Sequence, residues 1–212
     1  MPAVELPPRY NVAPTSEAYL VTDHDGTRSV DIARWGLIPS WSRDASHASR
    51  MINARSETVA DKPAYRSAFK RRRCLVPVDG YYEWQAGGPA ARAAKQPFFI
   101  HDRAGDPLAL AGLFEDWHGP EGPVRTFTVL TQDASPWLQR IHDRMPVIVN
   151  RESWSTWLDD PLTDEQFANI LQLSREDASR NLNAYPVSTR VNKAGNEGED
   201  LIVPIGPAMH VG

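Results

Sequence analysis

Cysteine is almost absent from this chain of 212 residues, in which Cys74 is the single thiol. One cysteine excludes an internal disulfide and favours a reducing compartment, so we expect a cytoplasmic protein. It also argues against a structural zinc site, because such sites usually take several thiolates. The six histidines are scattered, without ligand spacing to a carboxylate or a thiol. The sequence therefore implies no metal and no other cofactor.

Long apolar runs are missing as well. No stretch approaches the length that a membrane span needs, so we expect no membrane partner. The segment from Met1 to Pro8 lacks the basic start and the apolar core of a signal peptide. The formal net charge is −4, which is not the global charge of a nucleic-acid-binding protein, although a local basic stripe can serve. The run Lys70-Arg71-Arg72-Arg73 fits a solvated helix C-terminus better than a direct DNA contact.

Short apolar segments are present in number, and most of them predict β-strands. They cover residues 18–22, 30–35, 74–78, 81–84, 97–100, 108–114, 126–131, 145–149 and 185–187. Three helices are predicted: from about Lys62 to Arg72 with Asp61 as N-cap, after Asn150, and from Thr163, where Gln166 completes a capping box. We therefore expect one α+β domain over residues 1–212, with a curved, barrel-like, mixed or antiparallel sheet and helices at its margins.

Three side chains carry the chemistry that the sequence offers. The Asn53 amide donates two hydrogen bonds and accepts others, so it can hold an oxyanion or a hydroxyl. Glu83 lies between Tyr82 and Trp84, where partial burial would raise its pKa and make it a general acid. His142 can exchange protons near neutral pH. Asp143 is discounted as its orienting partner, because adjacent residues seldom face each other.

Each of these residues also has a plainer interpretation. Asn53 could bond loop backbone, Glu83 could pair with an arginine, and His142 could cap a helix. Trp41 lies in a Pro39–Ser42 loop, either as an exposed ring that stacks on a base or as a buried anchor. Taken singly, Asn53, Glu83 and His142 each favour the plainer interpretation, and the two interpretations of Trp41 stay open.

The surrounding motifs carry more information than the single residues. They occur in one order along the chain: Arg9-Tyr10-Asn11-Val12-Ala13-Pro14-Thr15, Trp35-Gly36-Leu37-Ile38-Pro39-Ser40-Trp41, Ile52-Asn53-Ala54-Arg55-Ser56-Glu57-Thr58, Asp79-Gly80-Tyr81-Tyr82-Glu83-Trp84, Gln96-Pro97-Phe98-Phe99-Ile100, Ile141-His142-Asp143-Arg144-Met145-Pro146 and Val191-Asn192-Lys193. From about Arg9 to Pro204 the chain closely resembles the SRAP family, whose members crosslink to abasic sites in single-stranded DNA.

The resemblance implies a role for each of the three residues. Asn53 would steady the sugar hydroxyl and the attacking amine. Glu83 would protonate the ring oxygen of the abasic sugar and promote its opening. His142 would assist proton transfer as the Schiff base forms and reverts.

The resemblance also implies a DNA surface. Arg55 and Arg144 lie one or two residues from a candidate catalytic group, and they resemble family arginines that grip the flanking phosphates. Trp41 resembles a family tryptophan at the DNA groove, and Pro14 of the first motif is assigned to the same surface. We expect a monomer that acts in the SOS and DNA-damage response and is associated with the nucleoid when bound.

The resemblance departs at the start of the chain. Family members open with Met-Cys-Gly-Arg, and the N-terminal thiolate and amine of that cysteine form a thiazolidine with the aldehyde. Here Pro2 does not align with the cysteine, and Cys74 has no free amine beside it. We expect an upstream start that encodes the cysteine. The alternatives are a DNA-binding module that forms no crosslink, a reversible iminium on the amine of Pro2, and a peptidase that uses Glu83 and His142.

Overall fold

Ten β-strands and three α-helices are formed by residues 5–86 and 95–209, the parts of the chain that the computed structural model describes. The strands are β1 (Glu17–His24), β2 (Thr27–Trp35), β3 (Asn53–Arg55), β4 (Arg73–Val78), β5 (Gly80–Gln85), β6 (Gln96–Asp102), β7 (Leu108–Gly119), β8 (Gly122–Asp133), β9 (Arg144–Pro146) and β10 (Leu182–Pro186). The helices are α1 (Arg66–Arg71), α2 (Trp154–Leu158) and α3 (Asp164–Asn181). The predicted loop at 87–91 falls outside the described residues.

Five of these strands close into a ring. Antiparallel pairs join β2 to β1, β1 to β4, β4 to β7 and β7 to β8, and a parallel pair joins β8 back to β2. Because an odd number of strands cannot alternate in direction all the way round, one junction of such a ring has to be parallel. β3 and β9 extend the sheet from β8. The predicted α+β fold with a barrel-like mixed sheet is confirmed.

The sheet is buried on both faces, which β7 shows most clearly. Its first eight residues are all buried. Leu108, Leu110 and Phe114 belong to one apolar cluster, whereas Ala109, Ala111 and Leu113 belong to the other, as the two-residue period of a strand requires. The second cluster includes Trp157 of α2 and Ile170 of α3, so these helices cover the outer face of the sheet.

A separate three-stranded sheet, in the order β10-β6-β5, carries the motif that contains Glu83. Gly80 lets β5 start tightly against β6. A Cβ at this position would lie 2.4 Å from the Phe99 ring and 2.6 Å from the Ile100 carbonyl oxygen. A larger residue would push β5, and with it Glu83, away from β6.

The predicted helices differ mainly at their starts. The capping box of Thr163 and Gln166 is confirmed at α3. Asn150 caps a 3-10 turn, 151–153, that leads into α2. The predicted start at Lys62 with Asp61 as N-cap is wrong, because α1 begins at Arg66. The amides of Asp61 and Lys62 donate to the Thr58 carbonyl in tight turns instead.

The basic run at 70–73 is not a uniformly solvated helix end, which corrects our expectation. Arg73 has a side chain only 1% exposed, and it donates to backbone carbonyls of α1 and α2. Arg72 donates to the buried Glu115 carboxylate at 2.7 Å. Both guanidiniums serve the fold, so they are not available as a DNA patch.

Motifs from the two ends of the chain meet on β5. The Asn11 amide donates to the carbonyls of Val191 and Lys193 at 3.1 and 3.2 Å. The Tyr82 hydroxyl donates to the Tyr10 carbonyl, and the Trp84 indole donates to the Asn192 side chain, both at 2.7 Å. These bonds fix the segment around Tyr10 against the face of β5 opposite Glu83. Within the described residues, no helix is long and apolar enough to cross a membrane.

Candidate functional site

Glu83 and His142 lie 59 positions apart in the sequence and meet in one cleft. The Glu83 Oε2 and His142 Nδ1 atoms are 3.9 Å apart. Glu83 is held by β5, whereas His142 follows a 3-10 turn at 138–140. The Gln85 side chain donates to the Arg140 carbonyl at 2.7 Å, which ties the end of β5 to that turn. A direct bond between the two elements therefore fixes their approach.

The cleft has an apolar floor and a polar rim. Its wall is formed by seven residues, Tyr81, Glu83, Ile100, Leu138, Ile141, His142 and Arg144. Tyr81 and Glu83 share a face of β5 because side chains two apart in a strand point the same way. Leu138 and Ile141 are buried and anchor the turn before His142. The Tyr81 hydroxyl is buried and has no hydrogen-bond partner among the described residues.

Burial sets the protonation of Glu83. Removal of its carboxyl from water raises its pKa above the ordinary value, and the nearby His142 opposes that rise. The Glu83 side chain remains 24% exposed, so its carboxyl borders solvent. The expected burial of Glu83 is present, although the residues of the cleft provide it and not Tyr82 and Trp84, which lie on the other face of β5. The role itself stays a prediction.

The His142 ring is held against the backbone of Arg144 through one ring nitrogen. Its Nδ1 accepts from the Arg144 backbone amide at 3.1 Å in the tautomer that carries its proton on Nε2. The same Nδ1 lies 3.3 Å from the Arg144 carbonyl oxygen and 3.3 Å from an Asp143 carboxylate oxygen. In the tautomer that carries its proton on Nδ1, these oxygens are the acceptors. We expected Asp143 not to face His142, and this contact shows that it does. Asp143 is 88% exposed, so solvent screens the interaction between its charge and the ring.

Asn53 and Arg55 occupy the same exposed face of β3, with the buried Ala54 between them. β3 pairs in parallel with β8, where Arg55 lies opposite Thr131. No described contact joins the Asn53 side chain to Glu83 or His142. The structure therefore places Asn53 beside Arg55 rather than inside the cleft.

Arg144 connects the two groups of residues. Its Nη2 donates to the Thr131 carbonyl at 2.8 Å, and Thr131 is the β8 partner of Arg55. Its Nη1 and Nη2 also donate to Glu57 at 2.7 and 3.0 Å, and Nη1 donates to Asp133 at 2.6 Å. The hydrogen bonds from Arg144 lower the pKa of Glu57, and the charges of Arg144 and Arg55 add to that lowering. Asn53, Arg55, Glu57 and Arg144 define a strip beside the cleft: Asn53 and Arg55 share a face of β3, both arginines lie near Glu57, and Arg144 lines the cleft.

Trp41 and Pro14 lie in exposed turns, and neither residue lines the cleft. Trp41 is 67% exposed, so its ring is not the buried loop anchor that the sequence left open as one of two interpretations. Its loop is tied to the first half of β8, where the Ile38 amide donates to Thr126. Seven residues of strand separate Thr126 from Asp133, which is roughly 20 Å along β8. Pro14 is exposed in the turn before β1.

Cys74 is fully buried in β4, and burial raises the pKa of its thiol. A thiol without solvent access and with a suppressed thiolate cannot act as a nucleophile. Pro2, the other candidate, falls outside the described residues. Across residues 5–86 and 95–209, no three His, Cys, Asp or Glu side chains cluster as a metal site would need.

The family model described as SOS response associated peptidase (SRAP) matches residues 2–194. The chain belongs to the SRAP family. The family match covers every motif noted in the sequence, from Arg9 to Lys193. It thereby accounts for the order in which those motifs occur.

Named SRAP relatives cover nearly the whole chain. Abasic site processing protein YoqW of Bacillus subtilis (strain 168) is 37% identical over 203 residues, covering 95% of this chain and 88% of YoqW. Abasic site processing protein HMCES of Gallus gallus is 32% identical, covering 93% of this chain and 66% of HMCES. A crystal structure of a protein from Bacteroides thetaiotaomicron is 28% identical with a TM-score of 0.73, covering 93% of this chain and 81% of that one.

Sequence reasoning missed the carboxylates that hold Arg144. Glu57 carried a signal, because it stands two residues after Arg55 within a motif that had already been noted. Nothing in the sequence marks Asp133, because it ends β8 in an ordinary alternation of apolar and polar residues. The Gln85 tether and the orphan Tyr81 hydroxyl were also missed, because both depend on how β5 meets the 138–140 turn.

Proposed function

We propose that this SRAP protein processes abasic sites in single-stranded DNA and forms a covalent bond to the ring-opened sugar. The observation that carries the proposal is the 3.9 Å approach of the Glu83 carboxyl to the His142 imidazole, in a cleft that continues into a strip with two arginines. A carboxyl with a raised pKa supplies a proton, and a neutral imidazole accepts one. The names of YoqW and HMCES agree with this substrate. Action on chromosomal DNA would place the protein in the cytoplasm, at the nucleoid.

The proposed chemistry is a series of proton transfers around one carbon. Glu83 protonates the ring oxygen of the closed abasic sugar while the C1′ hydroxyl gives up its proton, so the bond from C1′ to the ring oxygen breaks and the aldehyde is released. A neutral primary amine then adds to the aldehyde carbon, and one of its protons passes to the carbonyl oxygen. His142 delivers a second proton, taken from the thiol, to the resulting hydroxyl, which leaves as water from a protonated imine. The thiolate adds to the carbon of that protonated imine, the C=N electron pair returns to nitrogen, and the thiazolidine is complete. Asn53, beside Arg55, would hold a sugar hydroxyl on the strand of DNA as it enters the cleft.

The attacking group is not Cys74 in this proposal. Cys74 is buried in β4, and a thiazolidine requires the thiol and the amine on one carbon skeleton. We assign the attack to an N-terminal residue, in keeping with the family. Monomeric action is part of the proposal, since a single chain supplies Glu83, His142 and both arginines.

The experiment is a denaturing gel of the protein mixed with an abasic single-stranded oligonucleotide. A slow-migrating adduct that forms without reductant supports the thiazolidine. An adduct that needs cyanoborohydride identifies an imine or iminium, which is the chemistry of an amine such as Pro2. Binding without either adduct identifies a non-covalent single-strand module and rejects the covalent step.

Phosphate contacts by Arg55 and Arg144 give a testable prediction for binding. Arg55→Ala is expected to weaken affinity for undamaged single strands by about tenfold at low salt and to reduce the salt slope by roughly one ion, since one phosphate contact is lost. Fluorescence anisotropy over a salt series measures both. The control is Arg180→Ala, which removes an exposed arginine of α3 that does not line the cleft. Equal affinities of Arg55→Ala and the unmodified protein would remove Arg55 from the DNA surface.

A peptidase is the second candidate, because the family description names one. Since Cys74 is buried, such an activity would have to use Glu83 and His142 on water or on an N-terminal group. Cleavage of an unrelated polypeptide that disappears in Glu83→Ala and in His142→Ala would support it. The same polypeptide left intact by the unmodified protein would reject it.

A further inference from the structure

Arg144 is not a free cation in this structure. Its two terminal nitrogens donate to Glu57, Asp133 and the Thr131 carbonyl, with all four donor–acceptor distances between 2.6 and 3.0 Å. Glu57 contributes both carboxylate oxygens, one to each terminal nitrogen, which is a bidentate pair. The groups that would bind a phosphate are therefore already occupied by protein oxygens.

The carboxylates lie outside the cation that they hold. The Arg144 side chain is 19% exposed, whereas Glu57 is 48% exposed and Asp133 is 76% exposed. Two anions thus face solvent over one cation. A phosphodiester that approaches Arg144 meets negative charge first, unless a carboxylate gives way.

Glu57 is the stronger of the two competitors. Asp133 uses one oxygen and is the more solvated, whereas Glu57 uses both oxygens and lies between the charges of Arg144 and Arg55. A planar guanidinium binds a carboxylate and a phosphate through the same two-pronged geometry. Only one of these ligands can occupy the outer edge of Arg144 at a time.

We propose that Glu57 sets the affinity of this site for DNA by competing with a backbone phosphate for Arg144. Arg144 then engages DNA by exchanging partners, from the Glu57 carboxylate to the phosphodiester, while its bond to the Thr131 carbonyl keeps the guanidinium in place. Arg55, which is exposed on β3 near Glu57, makes the first contact with the DNA. This inference rests on the proposed function in one respect, namely that the ligand is single-stranded DNA.

The test is the affinity of Glu57→Gln for an undamaged oligothymidine. The amide keeps the size of the side chain and removes its charge, so the phosphate meets a weaker competitor. We expect binding about tenfold tighter at low salt and a steeper salt slope than in the unmodified protein. Glu176→Gln is the matched control, since it removes one exposed carboxylate from an arginine pair on α3 and should leave affinity unchanged.

Three further arms decide the interpretation. In an Arg144→Ala background the gain in affinity from Glu57→Gln should shrink to the level of the control, because Glu57 and the phosphate no longer have a guanidinium to compete for. Asp133→Asn should tighten binding by less than Glu57→Gln, and it serves as the second variant should Glu57→Gln fail to fold. Weaker or unchanged binding by Glu57→Gln, or a gain that persists without Arg144, overturns the competition.

The outcomes separate this inference from the proposed function. If the unmodified protein binds the oligothymidine and Glu57→Gln does not bind more tightly, only the role of Glu57 fails. If the unmodified protein does not bind single strands at all, both fail. Melting temperatures of each variant distinguish a lost fold from a changed affinity.

Discussion

Glu83→Gln is expected to slow adduct formation on an abasic single strand by about 100-fold or more, the usual contribution of a positioned general acid. Glutamine has nearly the shape of glutamic acid but cannot give up a proton, so ring opening loses its donor while the cleft keeps its packing. Single-turnover rates on denaturing gels measure the effect. Binding of the intact strand should change little, because the phosphate contacts lie on the strip of Arg55 and Arg144.

The pH dependence gives a sharper test of the same role. Burial raises the pKa of Glu83, so its carboxyl stays protonated to a higher pH than a free glutamic acid. The contribution of the acid is complete below the folded-state pKa and is lost as pH rises through it. The attacking amine has the opposite dependence, because it must be unprotonated. Both the unmodified protein and Glu83→Gln share the pH dependence of the amine, so it cancels in the ratio of their rates. The ratio of the unmodified rate to the Glu83→Gln rate should therefore fall with rising pH.

The control for both measurements is Glu176→Gln, whose carboxylate lies on α3 outside the cleft. It should retain the unmodified rate and the unmodified pH profile. A Glu83→Gln variant that reacts as fast as this control, or a rate ratio that is flat with pH, would contradict the general-acid role.

Local pattern was enough to predict most of the strands but not their closure. β4, β6 and the first half of β7 follow from short apolar runs between turn residues. The parallel junction of β2 with β8 pairs Arg34 with Thr126, residues 92 positions apart, and no local signal encodes such a pairing. The barrel-like sheet could be expected only as a class, whereas its strand order had to come from the structure.

The candidate site shows the same division. The sequence of β5 predicts partial burial of Glu83, and burial does raise its pKa. The residues that bury it come from elsewhere in the chain, because Tyr82 and Trp84 lie on the opposite face of β5 and the cleft wall includes Leu138 and Ile141. The partners of Arg144 cannot be predicted locally either, because Glu57 lies 87 positions away and reaches it across β8. Asp143 was misjudged for a different reason. Neighbours diverge in a regular strand, but His142 and Asp143 lie in a turn before β9, where that rule does not apply.

The misread arginine, Arg73, leads to the largest expected effect on stability. It appears in a run of four cations that looks solvated, yet its guanidinium donates to five acceptors. Four are backbone carbonyls, of Phe69, Lys70, Trp157 and Asp159, and the fifth is the Asp160 carboxylate. One side chain therefore satisfies the C-terminal carbonyls of both α1 and α2, which have no partner within their own helices.

Arg73→Met is expected to reduce the free energy of unfolding by at least about 3 kcal/mol, because it leaves several buried carbonyls unpaired at once. Methionine retains much of the apolar stem, so the loss measures the hydrogen bonds more than the packing. Urea unfolding followed by circular dichroism gives the value. Arg71→Met changes an exposed arginine of the same run and should stay within about 0.5 kcal/mol of the unmodified protein. Should the two variants unfold at the same urea concentration, Arg73 would not be the link between the two helix ends and the sheet.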